Sequence, residues 1–273
     1  ALGNPGYPSY RNILKALDLE PVAIETRSES RFQPTTSDLA ALGDLAGLLV
    51  ASPANPTGTM LGEAPLRALI ETCHKRNVAF VSDEIYHGIH YEQRGVSALE
   101  ISDDVIVINS FSKYFSMTGW RVGWMVVPHS HVRQVERLAQ NNFICASHAG
   151  QVAALAAMDA GGELEANIAV YRDNRALMLD GLPKAGFGRI APPDGAFYVY
   201  ADVSELTDDS AALARELLEN AGVAVTPGLD FDPDRGHRFL RFSYACATAD
   251  IREGLDRLRA YMVTRGTFAG RKG

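Results

Sequence analysis

A lysine in Ser110-Phe111-Ser112-Lys113, followed by Gly119-Trp120-Arg121-Val122-Gly123, is the residue of this chain best placed to do chemistry. It follows an apolar, β-branched run, Val105–Asn109, that reads as a buried strand. Burial at a strand end disfavours the ammonium form of a lysine and makes its amine a better nucleophile toward an aldehyde. Ser110, Ser112 and Arg121 add hydrogen bonds and a planar cation, the groups that hold a phosphate. Gly119 and Gly123 would let the backbone turn tightly and approach a ligand. For an isolated Ser-x-Ser-Lys the plainer reading, a surface lysine after a strand with Arg121 in a structural ion pair, would be the better one.

Three further segments set polar side chains beside apolar runs: SPANPTG at 52–58, SDEIYHGIHY at 82–91 and RFSYA at 241–245. A lone Ser-Asp-Glu reads as a helix N-cap, but Asp83 ends an apolar run and has Tyr86 three residues on. Asn55-Pro56-Thr57-Gly58 is on its face a turn. Arg241 lies in an alternating strand, where an arginine is usually solvated or ion-paired. Tyr7, in NPGYPSY, sits in an aromatic-proline turn. Tyr198, in GAFYVY, reads as core packing, with Gly195-Ala196 before it lining a site. His87, His90 and His148 have no metal-like spacing and read as structural or exposed, so no metal is expected.

The elements that must position these groups alternate through the first half. Apolar runs at Ala46–Ala51, Val78–Ser82, Val105–Asn109 and Val122–Val127 read as strands buried on both faces. Glu63–Arg76 carries Leu66, Leu69, Ile70 and Cys73 at helical spacing. That pattern predicts an α/β domain with a mostly parallel sheet, whose ligands bind beyond the carboxyl ends of the strands. Asn55, Asp83, Tyr86, Ser110 and Lys113 stand at such ends. His131–Ala160 is Ala-rich and mostly helical, and Glu163–Leu182 reads as a long helix leading to a second domain. Strands at Ala196–Val203, Val223–Val225 and Phe239–Tyr244, with helices at Ser210–Asn220 and Ala249–Thr264, make a smaller α+β unit. The expected division is 1–165 and 166–273, with the tail GTFAGRKG frayed.

The whole chain bounds its partners. Its 273 residues suffice for one large domain or two ordinary ones. A net charge of −7, spread along the chain, argues against nucleic acid and anionic membrane. Cys73, Cys145 and Cys246 are odd in number and far apart, which favours a reducing compartment over a disulfide framework. Leu45–Ala51 and Val122–Pro128 are too short to cross a bilayer, and no signal sequence is evident. The expected location is the cytoplasm.

SFSKYFSMTGWRVG resembles the pyridoxal-phosphate (PLP) lysine signature of the class I/II aminotransferases, the aspartate aminotransferase superfamily. The other three segments occur in the order and approximate spacing of that family, so the resemblance covers essentially the whole chain. It implies fold type I and transfer of an amino group between an L-amino acid and a 2-oxo acid. It also implies a homodimer and a place in amino-acid metabolism. By resemblance, Lys113 is the Schiff-base lysine and proton shuttle, and Asp83 pairs with the pyridine nitrogen. Tyr86 and Asn55 hydrogen-bond the phenolic oxygen, Ser110, Ser112 and Arg121 hold the phosphate, Arg241 forks onto the substrate α-carboxylate, and Tyr7 stacks on the ring. The family's fold begins about a hundred residues earlier, a subdomain's length. The resemblance therefore implies an upstream arm and a phosphate-cradling turn at a helix N-terminus. A PLP-dependent C–S β-lyase of the same fold shares nearly the same lysine segment. A non-catalytic aminotransferase-like module of a transcription regulator is the alternative from another class.

Overall fold

A computed structural model describes residues 1–266, so all but the first residue of the tail expected to fray lies outside the described residues. The chain forms two compact units. One contains Ala1–Gly3, Val22–Pro53 and Met60–Asn167, and the other contains Asn4–Pro21, Ala54–Thr59 and the chain from Ile168 onward. A single division at 165/166 misses two returns of the chain. Asn4 donates to the buried Asp232 (2.9 Å) and Arg235 donates to the Asn4 carbonyl (2.6 Å), which anchors the first returning segment. The amides of Asp194 and Gly195 both donate to the Gly58 carbonyl, which anchors the second.

The first unit is built on a six-stranded sheet. Its strands are β1 (Leu2–Asn4), β2 (Ala23–Glu25), β3 (Gly47–Ala51), β4 (Ala79–Asp83), β5 (Ile106–Ser110) and β6 (Gly123–Val126), in the order β2-β1-β3-β4-β5-β6. Residues Leu2, Leu49, Val81 and Ile106 are level across parallel β1, β3, β4 and β5. Helix α1 (Pro8–Ala16), which belongs to the second unit, follows β1, and α2 (Thr36–Ala40) and α3 (Glu63–Lys75) flank β3. The stripe Leu66, Leu69, Ile70 and Cys73 on α3 is fully buried against Leu48, Val50, Phe80 and Val107. Apolar residues at i, i+3, i+4 and i+7 make one helix face, and that face meets the sheet.

Strand β6 departs from expectation twice. It runs antiparallel to β5, with Ser110 opposite Gly123, and all four of its residues are exposed. It ends the described sheet, so it has a strand neighbour on one side only. An apolar run of this length does not reveal which strands are central. Downstream, α4 (His129–Asn142) and α5 (His148–Ala157) are separated by a break in which Ile144 adopts φ 67°. The long helix α6 (Gly161–Lys184) follows.

The second unit has an antiparallel sheet of β7 (Tyr198–Asp202), β9 (Phe239–Ser243) and β8 (Thr226–Pro227), in the order β7-β9-β8. Helices α7 (Ser210–Glu216) and α8 (Thr248–Thr264) belong to it. The strand expected at Val223–Val225 lies three residues later. After α7 the chain makes a π turn over Leu217–Ala221 and leaves through Gly222 at φ 64°, and the Val223 amide bonds back to Leu217. Residues 223–225 are spent on that exit. Pro227, which cannot donate to a ladder, occupies an edge strand.

Candidate active site

The first unit gathers its polar groups at the carboxyl ends of β3, β4 and β5. Ala51, Asp83 and Ile108 are register partners, so the ends of β3 and β4 are level and β5 runs two residues further. The Ser52 amide donates to the Asp83 carbonyl (3.2 Å) and the Glu84 amide to that of Ile108 (2.8 Å). Asp83 Oδ1 accepts from the Ile85 amide (3.0 Å). Turns and no helix follow it, so Asp83 is not a helix cap. Tyr86 is buried, and Lys113 Nζ, half-buried, lies 5.8 Å from the Tyr86 ring centroid.

The lysine rides on a loop closed by its own hydrogen bonds. The Phe111 amide donates to Val122, that of Met117 to Phe111 and that of Ser116 to Lys113 (each 3.0 Å). Phe111, Met117 and Val122 pack with Ala154 in a small core beneath it. Ser110 Oγ accepts from the Ser112 amide (2.9 Å), and Ser112 is buried. Arg121 is exposed in a left-handed conformation (φ 54°, ψ 48°) and donates to the Thr118 carbonyl (3.0 Å). The two glycines behave differently from expectation. Gly119 is open on all sides. A Cβ on Gly123 would lie 2.9 Å from the Asn109 carbonyl oxygen and 3.0 Å from Ser110 Cβ. Gly123 thus permits close pairing behind Ser110, and the left-handed residue is Arg121 itself. Downstream of the lysine, the Tyr114 hydroxyl donates to Glu165 (2.7 Å), and burial together with that carboxylate pushes it up to about 12.

The second unit carries Asn55, Arg241 and Tyr7. Arg241, on β9, donates through Nη1 to Asn55 Oδ1 (2.9 Å) and through Nη2 to Thr226 Oγ1 (3.2 Å). Its guanidinium carbon lies 4.4 Å from the Tyr198 ring centroid and 4.8 Å from that of Phe231. Nε is buried and has no hydrogen-bond partner among the described residues. No carboxylate pairs with this arginine among them, unlike an ordinary strand-face arginine. Tyr7 is exposed, sits at the start of α1 and meets Tyr10 edge-on at 5.5 Å. Its turn is fixed by the Gly6 amide, which donates to the Phe231 carbonyl (3.0 Å). Thr226 and Phe231 carry no motif and were not legible in the sequence. Tyr198 is buried, as expected of core packing, and also forms the floor under Arg241.

A parallel sheet with chemistry at its carboxyl ends, and a small α+β unit carrying an unneutralised arginine, define a fold type I architecture. A model of the family "Aminotransferase class I and II" matches residues 1–258. The chain is 47% identical over 267 residues to the valine–pyruvate aminotransferase of Mycobacterium tuberculosis, covering 96% of this chain and 69% of that protein. A crystallised chain from Silicibacter pomeroyi is 70% identical with a TM-score of 0.94, covering 96% of this chain and 71% of that one. A Thermus thermophilus aspartate aminotransferase with maleate is 31% identical with a TM-score of 0.88, covering 95% and 68%. This chain belongs to the class I and II aminotransferases. It is a PLP-dependent transferase of fold type I.

The residues present fit that cofactor. The first unit offers an amine, a carboxylate and a phenol at adjoining strand ends, with two hydroxyls and an exposed guanidinium on the same loop as the amine. Arg241 is a cation with no carboxylate partner among the described residues.

Proposed function

We propose that this aminotransferase moves the amino group of an aliphatic L-amino acid to a 2-oxo acid, with L-valine and pyruvate as the first pair to assay. The name of the Mycobacterium tuberculosis relative supports the pair. The observation that carries the reading is Arg241, whose amide, hydroxyl and aromatic surroundings leave its charge for a substrate α-carboxylate.

Bound PLP supplies a conjugated ring that takes up the electron pair left when the substrate α-proton departs. Lys113 would hold the cofactor through Nζ and would carry that proton. Asp83 would pair with the pyridine nitrogen and keep it protonated. Tyr86 and Asn55 would donate to the phenolic oxygen. Because Arg241 occupies Asn55 Oδ1, the Asn55 amide nitrogen is the group left to donate, an assignment made from the hydrogen-bond partners. Ser110, Ser112 and Arg121 hold the phosphate, and Tyr7 covers the ring face. We further propose a cytoplasmic homodimer that binds neither nucleic acid nor membrane; no described helix is long and apolar enough to cross a membrane.

The test uses full-length protein loaded with PLP. Alanine should form from pyruvate at the expense of valine, and Lys113→Ala should abolish the visible absorbance of lysine-bound cofactor and lower turnover by at least about a hundredfold. Release of pyruvate and ammonia from a cysteine conjugate, with no need of an acceptor, would instead make the chain a β-lyase.

A further inference from the structure

Beside Asp83 stands a buried acid that the reading above does not use. Glu84 is only 3% exposed. Its Oε1 accepts from Ser82 Oγ (3.0 Å) and the Ala98 amide (2.8 Å). Its Oε2 lies 3.4 Å from His87 Nδ1. The other ring nitrogen, His87 Nε2, lies 3.0 Å from the Ser52 carbonyl oxygen. Ser52 closes β3 three residues before Asn55, and its Oγ accepts from the Leu61 amide (3.0 Å). A carboxylate and a carbonyl both accept, so both ring nitrogens face acceptors. Imidazole donates from both only when both carry protons. His90, two residues beyond Gly88, contrasts with this. Its Nε2 accepts from the Gly88 amide (3.2 Å), and burial holds it below the ordinary histidine range.

We propose that Glu84 and His87 are a positioning pair that clamps the exit of β3 to the exit of β4 and so holds Asp83 in place at its strand end. The proposal rests on the assignment of Asp83 to the cofactor. A slip of one strand exit against the other would move the Asp83 carboxylate off the nitrogen it would pair with. The backbone bond from Ser52 to Asp83 joins the exits at one point, and the ring joins them at a second. Both continue the β3–β4 ladder, whose last pair is Ala51 and Asp83, past the ends of the strands. The ring is backed by Gly95, where a Cβ would lie 3.0 Å from His87 Nε2. The titratable groups that act on it are Glu84 on its own turn, His90 beyond it, and Glu100 from the following segment.

The clamp is complete only with both ring protons present, so loss of either one loosens it. In full-length holoenzyme, the rate of cofactor release should rise about tenfold across the pH interval in which NMR sees one of them lost. ¹⁵N NMR of the ring in apoprotein locates the interval, with His87→Phe identifying the signal. His87→Phe should release cofactor fast at every pH and Glu84→Gln should do the same, the double variant adding little to either. Gly95→Ala, which crowds the ring and leaves both titratable groups intact, should also speed release and serves if His87→Phe does not fold. A release rate with the same pH dependence in wild type and variant, accompanied only by a lower Tm, would overturn the proposal. So would ring nitrogens that never both carry a proton. Failure of the cofactor reading is seen separately, as absent PLP absorbance in wild type, and the NMR titration decides the pair in that case too.

Discussion

Arg241 carries a full charge into surroundings of an amide, a hydroxyl and two aromatic rings. The rings hold the guanidinium plane by cation–π contact, and the two bonds fix its rotation. Lysine is a point charge on a flexible stem and cannot reproduce both bonds with the same fork. Arg241→Lys should therefore raise KM for the amino acid roughly 10- to 100-fold, the range for losing a charge-assisted bond, with PLP absorbance retained; steady-state kinetics checks this. At this scale the sequence was legible where a residue belonged to a motif. Lys113, Asp83, Tyr86 and Arg241 stand in segments that mark them as candidates. His87 carries no such mark, because what matters about it is a carbonyl thirty-five residues away.

Elements were legible where one periodicity decided them. The α3 stripe is such a case: its four apolar positions are its four buried ones. Strand β6 is the opposite case, since Gly123–Val126 reads as apolar whether the strand is central or at an edge. Between β4 and β5 a short capped turn over Ala98–Glu100 gives a pH prediction. Glu100 is held down at about 2, chiefly by its hydrogen bonds from Arg94 and then by the Ser97 amide. A carboxylate depressed on folding contributes stability above its ordinary value, and that contribution is lost as pH falls toward about 2. Denaturant midpoints measured from pH 5 downward should fall less steeply for Glu100→Gln than for wild type. The pair is exposed, so the difference should be small and should shrink with salt.

The whole molecule is two units that share one chain in an interrupted order. In the full-length protein, sedimentation equilibrium should give the mass of two chains, the dimer proposed above; a single-chain mass would refute it. A sequence read in order predicts one cut, because hydrophobic patterning reports elements and not which core each joins. Asn4–Pro21 and Ala54–Thr59 bond to the rest of the second unit through Phe231, Asp232 and Arg235 and through Asp194, Gly195 and Arg241, and such partners leave no periodic trace. Asn55 and Arg241 fall in the second unit, and Asp83, Tyr86 and Lys113 in the first.

Composition, the apolar runs and the lysine segment by themselves determined an α/β chain built around Lys113, because local patterning and motif chemistry are properties of consecutive residues. Only the tertiary structure decided that β6 is antiparallel and exposed, that Arg121 rather than a glycine takes the left-handed turn, that Arg241 has no acid beside it, and that His87 stands between two acceptors. Each of these depends on which distant residue comes within about 3 to 4 Å, the range over which hydrogen bonds and contacts act, and spacing along the chain does not encode it.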